Sequence, residues 1–524
     1  MNIADFIDML LQHSPALIVA VPLLGAFLTP LISRFNAKAR NIFVILTLGL
    51  TTLLVFLLAS HVFTGNIRTY IFGAQNLSLP VVRILFEVDA MSAFMAIISV
   101  ILSLVAVIYS WSFMKKNTGL DKYYTLILLM TAGMLGMELT GDLFNFFVFL
   151  EITSISSAAL VAFYTNNAKS VEAGFKYIVI STIGALFVLF SIALFYGQYN
   201  ALNMAVIANA IQYTFLDKIA LVLLIAALAM KAGVVPMHMW LPDAYGRAPS
   251  SVTLILVGVT MASLYGVFRV CFTIYGNVIT LTHISIGWIL VVMGIITMLL
   301  GVAMAIIQTD LKRLIAFSAV AEIGYMFLGV GTGLVVLVNP EMTAAAGLAA
   351  MKGGIFHIFN DALDIGLLFL VAGAIYYATK ETALDKLGGL ARNMKYTTIF
   401  FIIGLLAVSG IPPMNGFASK LLIYESTYQL NPILAIIAIL SSIMLLAIFV
   451  KIFHSVFLGP ALPKFKDVKE VPKSMLIAMG TITAIIIFFG LFPDFVINNI
   501  VEPAANALVN HSEYISQVLN LGGA

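Results

Sequence analysis

A single cysteine, Cys271, stands in a chain of 524 residues. It lies inside an apolar run. That leaves no way to build a disulfide, a cysteine-ligated iron–sulfur cluster or a zinc–cysteine site within the chain. Charge is scarce as well: 10% of residues are Asp, Glu, Lys or Arg, against about 25% in ordinary soluble domains. Also absent are a G-x-G-x-x-G loop, a Walker phosphate loop and a C-x-x-C pair, the fingerprints of nucleotide and redox sites. Of seven histidines only His357 lies deep in an apolar run, whereas a haem ligated by two histidines within a membrane needs both at depth. The expectation is therefore no cofactor and no resident metal. The net charge of +3 carries no nucleic-acid signal, because the basic residues sit in short loops between apolar runs.

What fills the chain instead is apolar. Hydrophobic residues make up 62% and mean hydropathy is +1.08. About 20 such residues cross a bilayer as a helix. Fourteen windows qualify, near 15–33, 41–63, 84–110, 124–140, 143–164, 177–197, 219–241, 250–276, 284–306, 314–336, 345–378, 398–428, 431–457 and 474–493. Their links are too short for a soluble domain. This predicts an all-α polytopic membrane protein of about 14 transmembrane helices. Asp5 and Asp8 precede the first window in place of a basic segment, so it reads as a retained span. Nineteen of the 27 Lys and Arg fall in odd-numbered loops, and only Arg68, Arg83, Lys218 and Arg269 fall on the opposite side. The positive-inside rule then places odd loops in the cytoplasm and both termini on the outer side of a cell membrane. Lys231, Lys352, Lys420 and Lys451 remain inside spans, and Lys451 is close enough to the cytoplasmic end to snorkel.

Two spans are punctuated alike. The seventh breaks at Val235-Pro236 and the twelfth at Pro412-Pro413, within Ser409–Phe417. Lys231 lies just before the first break and Lys420 just after the second. Spans five apart run in opposite directions, so the pattern predicts an inverted repeat of two five-helix units, each with one broken helix. The units are 124–276 and 277–457, flanked by helices 1–3 in 1–123 and a last helix and tail in 458–524. The paired charges then fall at similar depth. A buried Lys costs roughly 2.5–3.5 kcal/mol on insertion scales and usually marks an ion path. A snorkelling Lys beside a structural kink is the plainer alternative. Glu151, nine residues into the fifth span, needs a cation to stay charged; Lys231 is its natural partner, as a proton switch or as a static pair. Glu322 in span 10 mirrors Glu151 by the repeat. In span 11, His357, Asp361 and Asp364 share one helical face, with Lys352 turned away toward another partner. Glu138 and Asp142 read as solvated acids near the outer surface.

These motifs resemble the antiporter-like membrane subunits shared by Mrp sodium/proton antiporters, respiratory complex I and membrane-bound hydrogenases. The residues that carry the resemblance are Leu139-Thr140-Gly141-Asp142-Leu143-Phe144 through Glu151, Lys231 with Pro236, His238 and Trp240–Ala244, and Asp310–Leu314. They continue with Phe356-His357, Leu387–Leu390, Ser409–Pro413 and Gly416–Lys420. Together they cover about residues 85–455, and within the family the pattern is most similar to the D-type chain of Mrp antiporters and to hydrogenase-type relatives. The resemblance implies a polar axis along the membrane plane with half-channels to either side. It puts the family's span-5 glutamate on Glu151, its span-7 lysine on Lys231 and its span-12 charge on Lys420. Two departures stand out: Val257–Leu264 in span 8 holds no ionisable group where the family has Lys or His, and Ile365 occupies the span-11 lysine position.

The expected function is ion translocation, of protons or of sodium against protons, in a non-catalytic subunit of a larger complex. Homologous antiporter-like subunits, small membrane subunits and the lipid bilayer are the expected partners. The residues expected to carry it are Glu151, Lys231, His357, Lys420, Glu322, Asp361, Asp364 and Lys352. Two alternatives stand beside it: a redox subunit that binds quinone, and a structural spacer whose path has decayed. With span 8 and position 365 apolar, His357 is the expected link between the two lysines.

Overall fold

The computed structural model describes residues 3–72, 84–276, 280–281, 284–339 and 342–520; Arg83 and His283 lie outside them. In chain order the elements are α1 (Ile3–Phe35), α2 (Ala37–Val62), β1 (Arg68–Ile71), β2 (Leu85–Val88), α3 (Ala90–Phe113), α4 (Leu120–Leu139), α5 (Leu143–Val161) and α6 (Ala168–Tyr199). Next come α7 (Met204–Ala210), α8 (Phe215–Lys231), α9 (Trp240–Arg247), α10 (Ser250–Arg269), β3 (Thr280–Leu281), β4 (Ile284–Ser285), α11 (Ile286–Ile306) and α12 (Leu311–Leu337). The chain ends with α13 (Ala344–Thr379), α14 (Lys395–Val408), α15 (Asn415–Leu430), α16 (Pro432–Ile452), α17 (Lys473–Leu491), α18 (Pro493–Val496), α19 (Glu502–Val509) and α20 (His511–Asn520). Among the described residues, eleven helices are long and apolar enough to cross a membrane. The other three windows fall on α4 and on two interrupted helices, α8–α9 and α14–α15.

Burial sorts the helices into an inner and an outer set. The most apolar window is buried all round in α10 and α13, whereas in α6 and α16 only 39% of it is. The uncovered faces of the outer set carry Leu186 and Phe190 on α6, and Ile436 and Leu440 on α16. Such faces suit hydrocarbon or another apolar helix. α12 and α13 therefore hold their polar residues in the middle of the protein, away from lipid.

The inverted repeat is visible in the backbone. Asp142 caps α5 by accepting from Asn145 N, and Asp310 caps α12 by accepting from Arg313 N. A carboxylate here fills an orphan N–H and meets the positive end of the helix dipole. Each cap is bridged by a returning segment. Leu143 N bonds Leu202 O and Met204 N bonds Gly141 O in the first unit; Leu311 N bonds Thr382 O and Leu384 N bonds Thr309 O in the second. The two broken helices also end alike. Gly233 and Gly410 take φ of +77° and +66°, and the next residues reach back, Val234 N to Ala229 O and Ile411 N to Leu406 O. This is the Schellman turn, which satisfies orphan carbonyls without water and needs left-handed backbone that glycine supplies. A cis X–Pro bond follows in each case, Val235–Pro236 and Pro412–Pro413.

Three readings of outer-side residues are corrected by packing. Glu138 and Asp142 are buried, not solvated: Ser99 Oγ donates to Glu138 at 2.6 Å, and Asp142 is spent on its cap. Arg269 is not a loop cation. α10 continues into a π-helical turn, Val270–Ile274, so the guanidinium is buried and grips Asp89 through two bonds of 2.7 Å. Nearby, α20 folds back onto β2, where Tyr514 Oη donates to Glu87 and Asn203 Nδ2 bonds its other oxygen.

Burial pushes the Glu87 carboxyl up to about 7, against Tyr514, Asn203 and the Arg269 charge, which pull it down; the charge on Asp142 adds to the rise. A folded-state value above the unfolded one means that the contribution is complete below the ordinary carboxylate range and is lost as pH rises through about 7. The docked α20 should therefore loosen by up to about 3 kcal/mol between about pH 5 and pH 8. Amide exchange of α20, corrected for intrinsic rates, measures this. Glu87→Gln should flatten the dependence, and an unaltered slope would exclude Glu87 as its source.

Candidate functional site

The site forms where the two broken helices meet α5, α12 and α13. In the first unit Lys231 is the last residue of α8, and its stem lies against Gly184 of α6, where an added Cβ would sit 3.4 Å from Cε. Its Nζ donates to Ser154 Oγ at 2.6 Å and lies 4.0 Å from Glu151 Oε1. Ser154 follows Glu151 by three residues on the same face of α5. The ammonium is buried, but the Glu151 side chain keeps 27% of its surface exposed, and its Oε1 has no hydrogen-bond partner.

The second unit is tighter. Lys420 Nζ lies 2.9 Å from Glu322 Oε1, and His357 Nε2 lies 2.7 Å from the other oxygen. All three side chains are fully enclosed. Lys420 also donates to Val408 O at 2.7 Å, the last carbonyl of α14, where the negative end of the helix dipole favours a cation. The Tyr325 ring faces the same ammonium at 4.4 Å. His357 Nδ1 meets Ser419 Oγ at 3.0 Å. With a carboxylate on Nε2, that nitrogen carries the proton in the neutral ring, leaving Nδ1 to accept from the serine. The carboxylate is thus held between two bases, and either can take or give the proton it shares.

The face expected to unite His357, Asp361 and Asp364 is partly so used. Asp364 accepts from Asn415 Nδ2 at 3.0 Å, and Asn360 bonds Ser419 and Asn415 O. Asp361 is buried with neither oxygen bonded. Among the described residues, no bond joins His357 to either aspartate, or to Lys231. Lys352 points elsewhere, 2.9 Å from Glu502 on α19. Pro236, Pro412 and Pro413 lie in the two breaks, the first five residues after Lys231 and the other two ahead of Lys420 on α15. Sequence reading missed Ser154, Ser419, Asn360 and Asn415, though each lies within one turn of a residue it did select. His238 is buried beside the Phe317 ring. Among the described residues no group of His, Cys, Asp and Glu assembles as a metal set.

The fold is shared with known proteins. The family model described as NADH:quinone oxidoreductase/Mrp antiporter, TM, matches residues 140–447. A second, described as NADH-Ubiquinone oxidoreductase (complex I), chain 5 N-terminus, matches 78–124. NADH-quinone oxidoreductase subunit N of Desulforudis audaxviator (strain MP104C) is 30% identical over 516 residues, covering 94% of this chain and 98% of that one. Na(+)/H(+) antiporter subunit A1 of Staphylococcus haemolyticus (strain JCSC1435) is 30% identical over 519 residues. That match takes in 94% of this chain and 62% of the relative, so the chain spans less than two thirds of its length. A chain in the structure of the Mrp complex from Dietzia sp. DQ12-45-1b superposes with a TM-score of 0.84 at 26% identity, covering 97% of this chain and 99% of that one.

Proposed function

Because the chain belongs to the NADH:quinone oxidoreductase/Mrp antiporter family of membrane subunits, we propose that it moves protons, or exchanges protons for sodium, as one subunit of a larger complex in a cell membrane. The observation that carries this reading is the pair of Glu–Lys contacts, one beside each break. They are unequal: Lys231 stands 4.0 Å from Glu151, Lys420 2.9 Å from Glu322. A lysine that leaves its glutamate becomes free to lose a proton, and one that closes on it is held charged. Two unit charges about 8 Å apart at an effective dielectric near 20 interact by roughly 2 kcal/mol, enough to shift a proton equilibrium about thirtyfold. Alternation between the open and closed arrangements, passed on through groups lying between them, would couple the two halves. Antiporter-like subunits and small membrane subunits are the proposed neighbours, seated on the uncovered apolar faces of the outer helices.

The stretch Val257–Leu264, which holds no ionisable group, and buried Ile365 favour a second reading, a spacer that no longer conducts. Glu151→Gln decides between them, since it keeps shape and removes charge. In vesicles holding the whole complex, proton or sodium flux should fall at least tenfold with the complex intact. Flux at the unaltered rate would leave the spacer reading standing.

A further inference from the structure

Among the described residues, no hydrogen bond or ion pair joins the Glu151–Lys231 pair to the Glu322–Lys420–His357 cluster. His357 is bonded to Glu322 and Ser419, so it belongs to the second cluster and does not bridge to the first. Buried hydroxyls lie on the helices alongside, α6, α9 and α10. Tyr177 of α6 is buried. Its ring packs edge-on against Trp240 at 4.9 Å, and Trp240 packs in turn against Tyr245 at 6.4 Å. The Trp240 indole is pinned to Met230 O at 2.9 Å, one residue from Lys231. Tyr245 of α9 is buried; its Oη lies 2.5 Å from Thr260 Oγ1 and 3.0 Å from Leu256 O. Thr260 also reaches Leu256 O, at 3.1 Å. Tyr245 also packs against Phe369 at 5.5 Å, on α13, the helix that carries Asp361 four residues after His357. Asp361 itself is buried with both oxygens unbonded.

We propose that Tyr177, Tyr245, Thr260 and Asp361 form the lateral proton link between the Glu151–Lys231 pair and the Glu322–Lys420–His357 cluster. The inference rests on the proton-moving reading above and names the route for this chain. A hydroxyl relays without becoming charged: it takes a proton on one lone pair as it releases its own to the next acceptor. One O–H bond forms for each that breaks. Tyr245 and Thr260 suit this, because each has the other and one shared carbonyl, Leu256 O, as acceptors, so either oxygen can donate. Water molecules would fill the steps longer than a hydrogen bond. Asp361 ends the relay as a carboxyl with no fixed partner, the one acidic side chain of this face that is not already held. Such a link carries protons and does not pass sodium. It also explains why span 8 dispenses with a base: Thr260 lies within the stretch Val257–Leu264.

The test uses the whole complex in vesicles, with proton uptake read by an internal pH-sensitive dye and assembly by native gel. Y245F keeps the ring against Trp240 and Phe369 (5.5 Å) and removes only the hydroxyl. Both Y245F and T260V should lower uptake at least tenfold in assembled complex and abolish its solvent deuterium isotope effect, and the conservative T260S should recover what T260V loses. If K231A stops uptake while Y245F and T260V run within twofold of the unaltered complex, the link is overturned and the transport reading stands. If K231A also runs at the unaltered rate, the transport reading fails and the link with it. Should Y245F not assemble, the T260V and T260S pair decides on the same criterion.

Discussion

A complex carrying Lys420→Met should lose both ion flux and stability. Glu322 would keep only His357 beside it, in a setting where all three side chains are enclosed. Removing one partner of a buried pair leaves an uncompensated charge and costs roughly 3–5 kcal/mol. Part of the loss comes from Val408 O, which forfeits the ammonium that meets the end of α14. Thermal unfolding of the purified complex reads the stability, and vesicle flux reads the function. The double variant with Glu322→Gln should recover most of the stability and none of the flux, since it removes the stranded charge but not the need for one. Equal destabilisation in the single and double variants would refute this account.

Lys231→Ala should separate the two effects. Flux should fall at least a hundredfold, while stability changes by no more than about 2 kcal/mol, because lost stem packing is offset by removal of a buried cation. The contrast with Lys420 follows from distances. Lys231 holds one serine hydroxyl closely and its carboxylate only at 4.0 Å, and that carboxylate is itself only partly enclosed. A fall in stability as large as that of Lys420→Met, with flux lost only in proportion to assembled complex, would make Lys231 a structural residue.

The buried charges were legible in the sequence to the extent that they broke a rule. A lysine ten residues into an apolar run, a proline five residues on and a lone glutamate on another span are each costly in hydrocarbon, so Glu151, Lys231, Glu322, His357 and Lys420 stood out. The same rule misled at Glu138 and Arg269. Their place near a span end suggested water, whereas Ser99 and Asp89, distant in sequence, enclose them. Lys352, expected to turn toward another partner, lies 2.9 Å from Glu502 of the C-terminal segment. Tyr177, Tyr245 and Thr260 broke no rule, because tyrosine and threonine are ordinary in membrane helices. Only packing distinguishes a hydroxyl turned into the protein from one anchored at an interface.

The two halves of the repeat place their acids at unequal distances from their caps. Glu151 follows its capping aspartate, Asp142, by nine residues, whereas Glu322 follows Asp310 by twelve. At about 1.5 Å per residue, the first acid lies about 13.5 Å below its cap and the second about 18 Å. The two helices run in opposite directions, and the proposed orientation sets Asp142 outside and Asp310 inside. Across a hydrocarbon layer of about 30 Å the extra turn brings both acids to one level, nearer the outer surface. A proton coming from the cytoplasm then crosses about 60% of the membrane voltage before it arrives, and about 40% on leaving. At about 2.3 kcal/mol per charge for each 100 mV, the voltage acts more on loading from inside than on release, so a change in membrane potential weights the inner half-channel first.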